Sequence, residues 1–294
     1  MDNKIDIKIS NSIKLNGEYS CFVSFEYDSD IIECIRQFPS RYYNKDTKCW
    51  EIPLNKLKVI VDTFSNNYEI HIYGDYVDLT PVNVQLPKQF NYKTKPYNHQ
   101  IEGVNYGLAH NNWLLGDEQG LGKTKQVIDI AVAEKLKNNY QHCLIVCGVN
   151  TLKWNWYEEV RIHSNEKARL IGMKPNGKIG SSADKLNDLI NIDKIKEYFL
   201  IINVESLRNQ QIVDNLQKLC KNKTIGIVAV DEIHRCKNPT SQQGKGLLKL
   251  NAEHKIAMTG TPLMNTPLDL FVILKWLGFE KHSFYAFKKH FCNM

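Results

Sequence analysis

Residues 116–124 read GDEQGLGKT, set between the apolar run WLLG (113–116) and a stretch in which Val127, Ile128, Ala131 and Leu136 suit an amphipathic helix. Strand, glycine-rich turn and helix start together build an anion cradle, because backbone N–H groups and the helix dipole converge on one point. Glycines let the backbone wrap close to a phosphate. Lys123 would place its charge on β- and γ-phosphates, and the Thr124 hydroxyl would ligate magnesium. The amides from Gly120 through Leu121 to Gly122 would hold the phosphates. The first position of the strict Gly-x4-Gly-Lys-Ser/Thr pattern is Asp117, so this fragment alone does not separate a nucleotide cradle from a surface turn.

A second fragment does. TIGIVAVDEIH (224–234) is a buried-strand pattern that ends in two carboxylates. At the carboxyl end of a parallel strand, Asp231 would hold magnesium opposite Thr124, and Glu232 would orient and deprotonate an attacking water. The alternative, an acidic strand end that merely faces solvent, does not explain why strand, loop, helix and acidic strand end follow in this order. Further short apolar runs lie at CLIVCGV (143–149), YFLIIN (198–203) and KIAMTG (255–260), with a helical pattern over residues 96–110. Alternating strands and helices predict an α/β fold with a mostly parallel sheet and helices on its faces. The Gly-, Ser- and Lys-rich segment 171–185 reads as a mobile surface loop.

Ahead of the lobe, residues 1–80 read as a small α+β module and 81–95 as a linker, with the lobe spanning 96–294. Within the module, 19–27 alternates like a strand, Asp28 caps a helix, KCWEIPL is a second strand, Asn55 to Phe64 a second helix and YEIHIY a closing strand. Residues 1–95 carry 12 basic and 13 acidic side chains, whereas 96–294 carry 26 and 19, so the basic excess lies in the larger part. That balance is compatible with nucleic acid without demanding it. No apolar run approaches the roughly 20 residues needed to cross a bilayer, and the N-terminus has no signal-peptide pattern, so a cytoplasmic location is expected, or a nuclear one in a eukaryote. The eight cysteines show no CxxC pair, and Cys143 and Cys147 share a strand face read as core.

The order of motifs resembles the Swi/Snf helicase-like ATPases of superfamily 2, along the whole of 96–294, which implies a RecA-like P-loop NTPase lobe. PYNHQIEGVNYGL (96–108) is similar to their Q motif, which implies that Gln100 reads the adenine edge and Tyr97 packs near the base. GDEQGLGKT is similar to motif I, where the family usually has aspartate at the Asp117 position. TLKWNWYEEV (151–160) resembles motif Ia, whose loop contacts a DNA backbone; this implies Lys153 and Asn155 as contacts, although Val149 stands where proline is frequent. NVESL (203–207) is similar to motif Ib, DEIHRCKN (231–238) to the DEAH-type motif II, and MTGTPLMNTPLDLF (258–271) to motif III. The resemblance implies ATP and Mg2+ as cofactors, double-stranded or forked DNA as partner, and His234, Thr259 and Thr261 as coupling residues.

FVSFEYDSDIIECIRQFPSRYYNKDTKCWEIPL (22–54) resembles the HARP domain of the annealing-helicase branch. Arg41, Tyr42, Tyr43, Lys45, Lys48 and Trp50 interleave cations with aromatics, which suits phosphate contact and base stacking. The other reading makes Trp50 and one tyrosine core residues. In the family, hydrolysis needs arginines from a second RecA-like lobe. None of the six arginines here lies beyond Arg235, and motifs IV to VI are not found, so a second lobe is expected elsewhere in the full-length protein or in trans. A non-catalytic DNA-binding or interaction protein with a nucleotide-sensing lobe is the competing reading. The Asn-, Lys- and Ile-rich composition points to an AT-rich genome, such as that of a phage or a low-GC bacterium.

Overall fold

The computed structural model describes residues 4–11, 19–74, 84–148, 150–262 and 266–291. The chain divides into two compact units, Met1–Thr80 and Pro81–Met294.

In the first unit, β1 (Lys4–Asn11) and β2 (Tyr19–Phe25) are followed by α1 (Ser29–Arg36), β3 (Tyr42–Asn44), β4 (Cys49–Pro53), α2 (Leu57–Phe64) and β5 (Glu69–Gly74). The sheet order is β3-β4-β2-β1-β5, with β1 antiparallel to β2 and parallel to β5. Strand β1 was not expected, although its alternating Ile5, Ile7 and Ile9 all point into the core. Asp28 caps α1 as its position implies: Oδ1 accepts the Asp30 and Ile31 N–H groups at 2.9 and 3.2 Å. Ile31 and Ile35 of α1 and Ile60 and Phe64 of α2 close over the sheet to complete a core with Val23 and Ile52.

The second unit runs α3 (Asn98–Ala109), β6 (Asn112–Leu115), α4 (Lys123–Asn138), β7 (His142–Cys147), α5 (Asn150–His163) and β8 (Ala168–Leu170). It continues with α6 (Ser182–Ile190), β9 (Phe199–Asn203), α7 (Gln210–Lys221), β10 (Ile225–Val230), α8 (Gln242–Lys249), β11 (His254–Met258), α9 (Phe271–Leu277) and α10 (Phe284–Phe291). All six strands are parallel, in the order β6-β11-β10-β7-β9-β8. Strand β7 shows why the sheet is buried on both faces. Leu144 and Val146 enter one core with α7, α8 and α9, while Cys143, Ile145 and Cys147 enter the other with α3, α4 and α5. Both cysteines are therefore core residues, as read.

Three expectations are corrected. Helix α4 is buried on nearly every side, so it is not simply amphipathic; even Lys125 and Asp129 are enclosed, as a 2.6 Å ion pair. Residues 84–95, read as part of the 81–95 linker, are fastened to the lobe: Phe90 is buried, and Lys93 Nζ donates to the Arg161 and Ser164 carbonyls at 2.7 and 2.8 Å. The segment 171–185, read as a mobile loop, closes as a turn with the Gly180 N–H on the Gly172 carbonyl at 2.8 Å. Helix α6 then begins, with Ser181 and Asp184 capping each other's backbone N–H groups. No helix among the described residues is long and apolar enough to cross a membrane.

Candidate nucleotide-binding site

Because the sheet is parallel, the carboxyl ends of its strands share one edge, where ligands bind in folds of this kind. The loop after β6 is the glycine-rich GDEQGLGKT, and it needs its glycines: Gly120 and Gly122 lie at φ +86° and +73°. A methyl group at Gly120 would meet nothing within 4 Å, so this side of the loop is open. At Gly122 a methyl would stand 2.2 Å from Gln100 Nε2. Lys123 begins α4, and its ammonium donates to the loop carbonyls of Asp117 and Glu118 at 2.7 and 2.9 Å. Thr124 follows, half-buried, in the first turn. Asp117 at the position of the usual glycine has a structural use: its Oδ2 accepts from Gln126 Nε2 at 2.8 Å, which pins the loop's start to α4.

Gln100 and Tyr97 come to this loop from α3. Gln100 is buried; its Oε1 accepts the Tyr97 backbone N–H at 3.0 Å and its Nε2 donates to the Leu121 carbonyl at 3.3 Å. His99 Nε2 reaches the same carbonyl at 3.0 Å. The glutamine is thus a strut between the Q-motif residues and the loop, with its second amide hydrogen left over. Tyr97 is 72% exposed and stacks on His99 with ring centroids 5.9 Å apart. Leu121 is exposed.

Two strands away, the Asp231 N–H extends the β10–β7 ladder by donating to Val146 O at 2.8 Å. Asp231 Oδ2 accepts from the indole Nε1 of Trp156 at 2.9 Å. Glu232 takes a left-handed conformation, φ +49°, which costs a non-glycine residue about 1–2 kcal/mol. This sharp turn separates the two adjacent carboxylates. Glu232 Oε2 lies 3.1 Å from His234 Nδ1, which is also 3.1 Å from Thr259 Oγ1 at the end of β11. The Thr261 N–H donates to that same hydroxyl at 3.1 Å, and the Thr259 N–H to Leu115 O at 3.2 Å. A methyl on Gly260 would lie 3.3 Å from Gln119 Cγ, so the β11 end packs on the glycine-rich loop.

The donor set fits a magnesium–nucleotide complex. A hydroxyl (Thr124) and one carboxylate (Asp231) are hard oxygen ligands, and magnesium keeps waters and phosphate oxygens as its remaining ligands rather than a protein cage. Among the described residues no group of three or more His, Cys, Asp or Glu side chains could supply such a cage.

The residues expected to touch DNA divide into two kinds. Arg41, Tyr43, Lys45 and Lys48 are exposed on the β3–β4 hairpin, where Tyr43 packs on half-buried Trp50 with centroids 4.9 Å apart. Asn155 is exposed on α5 beside Trp154. Lys153 is a correction. It is 1% exposed, its Nζ has no hydrogen-bond partner, and burial pushes its pKa down, so it is not a surface contact. Positions 153, 156 and 160 follow helical spacing and form the buried stripe of α5. The same spacing would have separated buried Trp156 from exposed Trp154. Gln126 is the site residue that the sequence does not single out, and Trp156 reads there only as packing or as a stacking platform, not as a partner of Asp231.

A model of the SNF2-related domain matches residues 97–293. Chromodomain-helicase-DNA-binding protein 7 of Homo sapiens is 28% identical over 210 residues, 65% of this chain and 6% of that protein. An ATP-dependent helicase of Mycoplasma pneumoniae is 27% identical over 275 residues, 88% of this chain and 25% of that one. The Sulfolobus solfataricus SWI2/SNF2 ATPase core in complex with dsDNA has the same fold, with a TM-score of 0.56 and 23% identity; the match covers 71% of this chain and 42% of that core. The chain thus spans at most a quarter of these two relatives and less than half of the solved core. Since the family match takes in the glycine-rich loop, the DEIH turn and the Thr259–Thr261 segment together, this chain belongs to the SNF2-related family.

Proposed function

We propose that the chain is the ATP-binding half of a DNA-dependent ATPase and translocase that remodels or reanneals branched DNA. The observation that carries this reading is the unbroken link from Glu232 through His234 and Thr259 to Thr261, beside a glycine-rich loop armed with Lys123. Lys123 exchanges its two loop carbonyls for phosphate oxygens. Thr124 and Asp231 hold magnesium, which neutralises charge on the phosphates when bound. Glu232 orients the attacking water and takes its proton, while Gln100 and Tyr97 sit where the base would lie. His234 and Thr259 then connect the state of that carboxylate to the surface formed by the β11 end.

A complete site needs a second RecA-like lobe, because arginines that meet the developing charge contribute about 10³–10⁵ in rate where they have been dissected. DNA as the partner is supported by the relatives' names and by the solved core's duplex. The exposed Arg41, Tyr43, Lys45 and Lys48 support a HARP-like role for the first unit at forked or single-stranded DNA. Steady-state ATP hydrolysis tests the reading, with the chain alone, with forked DNA, and with a second lobe added in trans. ATP binding with turnover only when the second lobe and DNA are present is the expected result. Robust turnover by the chain alone would sink the half-motor account.

A further inference from the structure

We infer that Trp156 is a positioning residue for the metal-holding carboxylate of Asp231, an inference that deepens the nucleotide-site reading and rests on it. Helix α5 carries Trp156 at 2% exposure, with Nε1 donating to Asp231 Oδ2 at 2.9 Å. A buried indole N–H needs an acceptor, and the three most buried tryptophans meet that need differently. Trp276 donates to the Leu250 carbonyl at 2.7 Å, and Trp113 Nε1 has no hydrogen-bond partner. Trp156 alone among these three is aimed at a carboxylate, and that carboxylate follows β10 at the sheet edge that also carries the glycine-rich loop after β6.

The choice of donor matters chemically. An arginine or lysine here would fix Asp231 but neutralise the charge that attracts a cation. The indole is an uncharged donor with no acceptor capacity, so it fixes Oδ2 and leaves the carboxylate anionic. Oδ1 is then presented to the cation with its torsion already set. Orientation of this kind by a ligand's outer partner is a recognised determinant of metal affinity. Lys153, one turn earlier on the same buried stripe, does not take this role: its Nζ has no hydrogen-bond partner.

The test uses the 294-residue chain. ATP binding is measured by calorimetry across a magnesium titration and again in EDTA, for the wild type and Trp156→Phe. The expected result is a half-saturating magnesium concentration raised about tenfold, the lower end of the usual range for outer-partner loss, with ATP affinity in EDTA unchanged. In an Asp231→Ala background Trp156→Phe should add nothing. Coincident magnesium titrations, or an equal loss of ATP affinity in EDTA, would overturn the inference and leave Trp156 a packing residue. Should Trp156→Phe fail to fold, benzothienylalanine at position 156, which swaps only the N–H for sulfur, decides in the same way. A wild type whose ATP binding ignores magnesium overturns the reading of Asp231 itself, an outcome the variant comparison keeps distinct.

Discussion

His234 Nδ1 lies 3.1 Å from Thr259 Oγ1, so the acidic turn after β10 is tied side chain to side chain to the end of β11. Thr259 is fully buried and its hydroxyl also accepts the Thr261 N–H. Thr259→Val keeps the shape and removes the hydroxyl, leaving the Thr261 amide short of a partner and His234 Nδ1 with Glu232 Oε2 alone. Each such loss costs about 1–3 kcal/mol when buried, so the urea midpoint should fall with its slope unchanged. ATP binding should persist, because neither Lys123 nor the loop is touched. A variant as stable as the wild type would show that the His234–Thr259 contact is not made in solution.

Lys123 and Glu232 should separate binding from chemistry. Lys123→Ala removes charge-assisted hydrogen bonds to phosphate, each worth about 1.5–3 kcal/mol, so ATP affinity should drop by one to two orders of magnitude. Glu232→Gln keeps the shape and loses the base. It should bind ATP as the wild type does, yet in the complete two-lobed motor turn over about 10²–10⁴ times more slowly. Normal turnover by the glutamine variant would remove Glu232 from its assigned role.

What was legible in the sequence was what lies in contiguous residues. The glycine-rich loop, the DEIH turn and five of the six parallel strands are each local patterns, so spacing alone located them. What escaped depends on contacts between distant segments. The strut from Gln100 to Leu121, the tie from Gln126 to Asp117 and the bond from Trp156 to Asp231 join residues whose partners no period reveals. Lys153, which the motif Ia resemblance makes a DNA contact, is instead placed inside by the helical stripe it shares with Trp156 and Val160. Strand β1 is different in kind: Ile5, Ile7 and Ile9 alternate with charged and polar residues in a legible half-buried pattern, so nothing but local spacing was needed to find it.

The hairpin of the first unit gives a quantitative test of DNA contact. If Arg41, Lys45 and Lys48 each neutralise one phosphate, replacing all three with alanine lowers the magnitude of the logarithmic salt slope by about 2–3. Affinity should fall most at low salt and converge with the wild type as salt rises. Lys45 and Lys48 are exposed and Arg41 gives up only its bond to the Phe38 carbonyl, so stability should fall by no more than about 1 kcal/mol. An unchanged slope would assign these residues to a solvated face.

Acid should weaken the lobe in the range where buried histidines gain protons on unfolding. Burial holds the His142 and His254 imidazoles below the ordinary value of 6.5. Against that pull, the Glu197 carbonyl and the Glu197 and Asp193 carboxylates raise His142, while Lys135 lowers it. Glu134 and Glu253 raise His254, while Lys137 lowers it. In both cases burial is the largest effect, so the folded chain prefers neutral rings and the unfolded chain binds protons first. The stability this contributes is complete above 6.5 and is lost as pH falls through the depressed folded values. The urea midpoint should therefore be lower at about pH 5.5 than at about pH 7.5, a window in which histidine is the side chain that ordinarily titrates. Replacing His142 and His254 together with glutamine should flatten the difference. A wild-type midpoint that rises on acidification would reverse the sign and show that the neighbouring carboxylates, not burial, govern these two rings.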